Sequence, residues 1–422
     1  MIKLIKSAQA REYITFMKQR IASDSRNIFA QAQAIINEVK QNGYDAVCKY
    51  SQKFDGLAPY QVAQTELKAA YDRIDPALRS ALEKAANNIK IYHEKIKVDS
   101  WSFKTDTGMT LGQKVTPLQR VGIYVPGGTA AYPSSVLMSG VIARVAGVDQ
   151  VVMVTPPNQN LSDNVLAAAY IAQVDMVFAL GGVQAVAALA FGAGDIPQVD
   201  KIVGPGNAYV TAAKKIVFGE VDIDMLAGPS EVLIIADGTA NPEYIAADLL
   251  SQAEHDKLAA SVLLTDDPQI AQDTISQLKK QLEQLPRKEI AQSSIDNYGC
   301  IIVCDSIKQA CEISNQIAPE HLEILTKAPE QTANGITNAG AMFLGEFSPE
   351  PLGDYMAGPS HILPTSGTAR FHSPLSTESF VKKTSIINAS RESLAALYKD
   401  IDTIATAEGL QAHARSILKR FE

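Results

Sequence analysis

The stretch Val174-Asp175-Met176-Val177-Phe178-Ala179-Leu180-Gly181-Gly182 decides the fold. It reads as a strand that stops at paired glycines, and an alanine-rich helical pattern follows from Gln184. The same unit stands on either side of it. Upstream, Val151-Val152-Met153-Val154-Thr155 runs into Pro156-Pro157-Asn158 and a helix from about Asp163 to Ala172. Before that, Arg120 to Val125 stops at Pro126-Gly127-Gly128 and leads into a helix from about Ser134 to Val145. Downstream, Lys201-Ile202-Val203 meets Gly204-Pro205-Gly206-Asn207 and a helix from about Tyr209. Strand, turn and helix recurring at intervals of roughly 25 residues predict a parallel, doubly wound sheet.

A second series begins after Gly228-Pro229-Ser230, with strands at Glu231 to Ala236, Ser261 to Thr265, Cys300 to Cys304 and Leu322 to Thr326 separated by helical patterns. Residues 8 to 97 read as helical, and Asp75-Pro76 caps a long amphipathic helix to about Lys97. The expected fold class is α/β, with two incomplete Rossmann-like parallel-sheet domains, one inserted in the other, a helical N-terminal segment and a helical C-terminal tail. The expected division is 1–20 for the N-terminal segment, 21–123 plus 233–375 for the larger domain, 124–232 for the insert and 376–422 for the tail.

Composition narrows the function. Of 422 residues, 46% are hydrophobic and 20% charged, as in ordinary soluble globular chains. The net charge of −8 is spread along the chain, and no basic run with interleaved aromatics argues for nucleic acid. The longest apolar runs are too short to span a bilayer, and no signal peptide is seen behind Met1 to Lys6, so the expected location is cytoplasmic. Cys48, Cys300, Cys304 and Cys311 form no CxxC pair and read as packing residues in a reducing compartment.

The candidate chemistry starts at Leu249-Leu250-Ser251-Gln252-Ala253-Glu254-His255-Asp256. It closes a helix that opens at Asn241-Pro242-Glu243, with Asn as N-cap and Pro at the first helical position. Gln252 and His255 are three apart and share a face, which offers an amide beside an imidazole on a rigid element. The plain alternative is a solvated Gln and a His topping a helix end. Ala318-Pro319-Glu320-His321 places two proton carriers of different basicity at the start of a strand. Ser348 to His361, with three prolines and two glycines, reads as a shaped loop carrying Asp354 and His361. Glu408 and His413 lie in a helical stretch near the C-terminus. Gln252, His255, Asp354 and a further His form an N/O donor set suited to zinc or a similar divalent ion. Three glycine-bearing βα turns would suit a nucleotide, yet none is a full GxGxxG, and tight connections explain them equally well. The residues alone leave open a zinc hydrolase, in which Glu320 activates metal-bound water, and a non-catalytic metal-binding module.

Six blocks together carry a resemblance. They are Asp222 to Glu231, Ser251 to His255, Ala318 to Glu323, Gly353 to Gly358, His361 to Thr365 and Glu408 to His413. In this order, nearly end to end, the chain resembles the histidinol dehydrogenase family. The resemblance implies a zinc-dependent oxidation of L-histidinol to L-histidine with two NAD, the last step of histidine biosynthesis. It implies Gln252, His255, Asp354 and His413 as zinc ligands, one ion per subunit, with His413 supplied across a homodimer by the partner's tail. Glu320 and His321 become the acid–base pair. Substrate contacts fall on Ser230, Gln252, His255, His321, Asp354, His361, Glu408 and His413, and NAD contacts on Tyr124, Gln184 and Asn207 in the insert. Ser360 stands where many members of the family carry Asn.

Overall fold

The computed structural model describes residues 2–19, 25–127, 132–157 and 161–422. Gly128 and Asn158, quoted above in two βα turns, lie outside the described residues. In chain order the strands are β1 (Lys3–Lys6), β2 (Tyr60–Val62), β3 (Trp101–Lys104), β4 (Thr110–Pro117), β5 (Arg120–Tyr124), β6 (Gln150–Thr155), β7 (Met176–Ala179) and β8 (Lys201–Val203). They continue with β9 (Asp222–Ile223), β10 (Glu231–Ala236), β11 (Ala260–Thr265), β12 (Cys300–Val303), β13 (His321–Leu325), β14 (Ala341–Leu344) and β15 (Val381–Asn388).

Two six-stranded sheets carry the molecule, in the orders β1-β12-β11-β10-β13-β14 and β2-β7-β6-β5-β8-β9. All pairings in the first are parallel, and in the second only β2 runs antiparallel. Each sheet starts at its centre, at β10 or β5, adds two strands on one side, then returns to add two on the other. This is the doubly wound order expected from the repeating units. Helices cover both faces, so strands such as Val151 to Thr155 and Leu233 to Ala236 are buried throughout. The local signals behave as read: Asp75 Oδ1 accepts from the backbone N–H groups of Ala77 and Leu78 at 2.8 and 3.1 Å, starting the helix Pro76–Ile96.

Four details differ from expectation. The N-terminal segment is helical over Ala10–Gln19, but it is preceded by β1, whose register Lys3↔Cys300 makes it the outer strand of the first sheet. The C-terminal helices are present, yet β15 precedes them, held by eight residues of antiparallel pairing to β4. Residues 348 to 361 are not all loop, because Glu350–Tyr355 forms a short helix. Finally, residues 25–96 pack with the second sheet and not with the sheet that carries the site, while β3 and β4 form a small three-stranded sheet with β15. The apolar stripe Ala32, Ile35, Ile36 and Val39 of helix Ser25–Asp55 meets the helices Gly182–Phe191 and Ala208–Val217, and β2 pairs with β7. The strand that opens the second sheet, β5, begins at Arg120, ahead of the expected boundary at 124. Among the described residues, no helix is long and apolar enough to cross a membrane.

Candidate active site

The helix Pro242–Ala253 begins as its sequence dictates, with Asn241 Oδ1 accepting from Glu243 N at 2.9 Å. Its last turn delivers Gln252, fully buried rather than solvated. His255 lies just beyond, with Nδ1 3.3 Å from Gln252 Nε2. The Gln252 carbonyl oxygen Oε1 is buried and has no hydrogen-bond partner among the described residues. A buried amide oxygen without a donor costs free energy unless something electropositive reaches it.

Strand β13 lies between β10 and β14, and its first residue is His321. The imidazole Nδ1 is 3.2 Å from the Glu231 carbonyl oxygen. A carbonyl can only accept, so Nδ1 carries the proton and the Nε2 lone pair is exposed to the site. Among the described residues Nε2 has no hydrogen-bond partner, and it lies 3.8 Å from Asp354 Oδ1 and 3.9 Å from Glu350 Oε1. Burial drives the His321 pKa down to about 3, helped by the nearby His255 and His361 rings, which keeps the ring neutral.

Glu320 is held from the same corner. Its Oε2 accepts from Glu231 N at 3.0 Å and from the Ser230 hydroxyl, and stands 3.8 Å from His321 Nδ1. Burial pushes its carboxyl well above the usual range, and the Glu231 and Asp354 charges push in the same direction. Asp354 is raised to about 6 by burial. The helix that presents Asp354 rests on β14, where a Cβ at Gly353 would come within 2.6 Å of the Phe343 ring and force that ring to move. His361 Nδ1 is 4.0 Å from Asp354 Oδ1, and its Nε2 is 3.3 Å from Ser135 Oγ on the helix Pro133–Ala146. That contact ties the cluster to the second sheet's layer. Ser360 is buried, and its Oγ accepts from Ile362 N at 3.1 Å.

Ser230, Gln252, His255, Glu320, His321, Asp354 and His361 therefore belong to one region. His255 and Asp354 line a cavity of about 410 Å³, and Asp354 also lines an adjoining one of about 220 Å³ with His321 and His361. Glu408 and His413 do not join them within the chain. Both are exposed, beside the helices Tyr398–Ala407 and Gln411–Leu418, and neither side chain is hydrogen bonded or ion paired to the cluster.

The sequence reading missed Glu350. One ligand atom from each of His321, Glu350 and Asp354 lies within 4.8 Å of the others, a spacing that a divalent cation could bridge. Its i, i+4 relation to Asp354 on one helix was the available signal, hidden while the stretch was read as loop. The donor set is nitrogen and oxygen throughout, and unpartnered atoms on Gln252, His321 and Glu350 face a region rich in raised carboxyls. That chemistry fits zinc.

The expected nucleotide residues sit at the carboxyl end of the second sheet. Tyr124, the last residue of β5, accepts at its hydroxyl from Gly182 N at 3.1 Å. Gln184 is buried, and both of its amide atoms lack partners. Asn207 caps the helix Ala208–Val217, accepting at Oδ1 from the N–H groups of Tyr209 and Val210. Gly204 has φ +112°, and a Cβ there would come within 2.2 Å of the Tyr124 carbonyl oxygen, so this turn requires glycine.

Comparison with known proteins agrees over the whole length. The family described as "Histidinol dehydrogenase" matches residues 18–421. A histidinol dehydrogenase of Clostridium acetobutylicum is 50% identical over 420 residues, covering 99% of this chain and 97% of that one. Another, from Bacillus subtilis, is 49% identical over 421 residues, covering 99% and 98%. The crystal structure of histidinol dehydrogenase from Elizabethkingia anophelis superposes with a TM-score of 0.95 at 38% identity, covering 100% of this chain and 98% of that one. With the family match over nearly the whole chain, relatives about half identical and a superposable fold, this oxidoreductase belongs to the histidinol dehydrogenase family.

Proposed function

We propose that the chain oxidises L-histidinol to L-histidine through histidinal in two hydride steps, using zinc and two NAD. The observation that carries this reading is the His321 corner: a neutral imidazole whose Nε2 lone pair has no partner, beside a buried Glu320 and a set of unfilled N/O donors. Gln252, His255 and Asp354 would hold zinc, with His413 from the partner subunit of a homodimer. Zinc would hold the substrate's imidazole and amine and so fix its pose, and NAD would accept hydride.

The chain's own residues then divide the proton work. His321 Nε2 takes the alcohol proton as hydride leaves the adjoining carbon, which yields the aldehyde. The aldehyde stays bound while the reduced cofactor is exchanged. Glu320, as carboxylate, takes a proton from water as the water oxygen bonds to the carbonyl carbon, and the protonated His321 returns its proton to the carbonyl oxygen, which restores the neutral imidazole. His321 takes the hydroxyl proton of that hydrate as the second hydride leaves, giving the carboxylic acid. Two adjacent proton carriers meet two successive proton demands. Burial keeps both groups from bulk water, and Ser230, His361 and Glu408 complete the substrate contacts.

The tail is read as reaching the partner because Glu408 and His413 are exposed and the last two helices pack chiefly on one another. A cytoplasmic setting, with no nucleic acid or membrane partner, suits such an enzyme. Incubating the zinc-loaded protein with histidinol and NAD should give two NADH per histidinol. A yield of one, or hydrolytic chemistry without NADH, overturns the reading. Mixing His413→Ala with Asp354→Ala subunits should restore about one working site per hybrid dimer, and no recovery would mean that the tail stays on its own subunit.

A further inference from the structure

Behind the site lies a second pair of acids that the reaction does not use. Glu323 follows His321 by two residues on β13, so both side chains stand on one face of the strand. It is 1% exposed. Its Oε1 accepts from Glu350 N at 2.8 Å, at the first turn of the helix that carries Asp354. Its other oxygen accepts from no N–H or O–H group among the described residues, and its carboxyl is hydrogen bonded to that of Asp248. Asp248 stands one turn before Gln252 on the helix Pro242–Ala253. A hydrogen bond between two carboxyls requires a proton. The two carboxyls therefore share a proton between them.

Glu323 thus joins three elements through one side chain: the strand bearing His321, the helix bearing Gln252 and the short helix bearing Asp354. We propose that Glu323 is a positioning residue that holds the helix of Gln252 and the helix of Asp354 at the spacing the cation needs, by sharing a proton with Asp248 and accepting from Glu350 N. The proposal rests on the zinc reading above. It makes a chemical distinction: any side chain that both accepts at one atom and donates at the other should serve, whereas an apolar residue of similar volume should not. Leucine leaves Glu350 N and the Asp248 carboxyl without their partner, which costs stability, so zinc affinity and folding are read separately.

The test compares wild type, Glu323→Gln and Glu323→Leu in the full-length chain, stripped with chelator and reloaded with zinc chloride. Zinc affinity is read by competition with a chromogenic chelator, and melting temperature is read without metal. Glu323→Gln keeps both bonds, with its amide N–H donating to Asp248, and should stay within about threefold of wild type in zinc affinity. Glu323→Leu should fold and yet bind zinc about ten- to a hundredfold more weakly. Its kcat should fall with the KM for NAD unchanged. Zinc affinity and kcat of Glu323→Leu within about twofold of wild type would overturn the proposal, as would equal losses in the Gln and Leu variants. If Glu323→Leu does not fold, Asp248→Leu against Asp248→Asn carries the same comparison, since Asn can still accept from Glu323. Wild type that binds no zinc, or makes no NADH from histidinol, defeats the functional reading and leaves this outcome recognisably different.

Discussion

The two six-stranded sheets share the order in which strands are added about a central one, but their candidate site residues lie at opposite ends. In the second sheet Tyr124, Gln184 and Asn207 gather at the carboxyl ends of the strands, next to the N-termini of the helices Gly182–Phe191 and Ala208–Val217. In the first sheet Ser230, Glu320 and His321 gather at the amino ends, where the helices Pro242–Ala253 and Ile307–Ile317 finish. A helix carries about half a positive charge at its N-terminus and about half a negative charge at its C-terminus. The first arrangement suits the phosphates of a dinucleotide, and the second suits a cation and an electropositive substrate. One topology therefore offers two electrostatically opposite sites, and the side chains decide which is used.

Separate ends should fail separately. The largest effect is expected from stripping zinc: NADH formation from histidinol should fall by about a thousandfold or more, since the substrate loses its anchor, while NAD binding should barely change. Parallel loss of NAD binding, measured by fluorescence titration, would merge the two ends into one. Next comes Glu320→Gln, which should slow histidinal oxidation by about 10²- to 10⁴-fold and spare the first hydride transfer. Equal losses with histidinol and histidinal would remove the division of labour between Glu320 and His321. At the other end, Gln184→Ala should raise the KM for NAD by about tenfold, the value of one buried hydrogen bond, with zinc affinity intact. An unchanged KM would free that amide from the cofactor.

The smallest effect concerns a group at neither end. His93, buried in the helix Pro76–Ile96 with both ring nitrogens unpartnered, has its pKa pushed by burial to about 4 from an ordinary 6.5. The folded state thus refuses a proton that the unfolded chain accepts. The corresponding stability is present above pH 6.5 and is lost as pH falls toward 4, roughly 3 kcal/mol in all. His93→Leu should flatten stability against pH across that window in urea melts. An unchanged slope would assign the acid sensitivity to the imidazoles of the site.

Much of this was legible beforehand because local signals were strong. Apolar runs ending in glycine marked β5 to β8, and the caps at Asp75 and Asn241 fixed two helix starts. The quoted blocks pointed to Glu320, His321, Gln252, His255 and Asp354, which the fold brings into one region. Strand β15 was not legible, since Val-Lys-Lys-Thr-Ser-Ile-Ile-Asn lacks alternation and is held by its pairing with β4. Nor were Glu323 and Asp248, which in a sequence look like any solvated acids.

By itself the chain determined which segments are strands and helices, because periodicity and capping act over a few residues. It also determined which side chains could do acid–base work, because that is a property of their chemistry. Only the tertiary structure decided that helix Ser25–Asp55 serves the second sheet, and that six carboxyls crowd around one corner. It alone decided that His321 presents Nε2 rather than Nδ1. Those outcomes depend on burial and on contacts between residues tens to hundreds of positions apart, where desolvation and a single carbonyl set the proton's place.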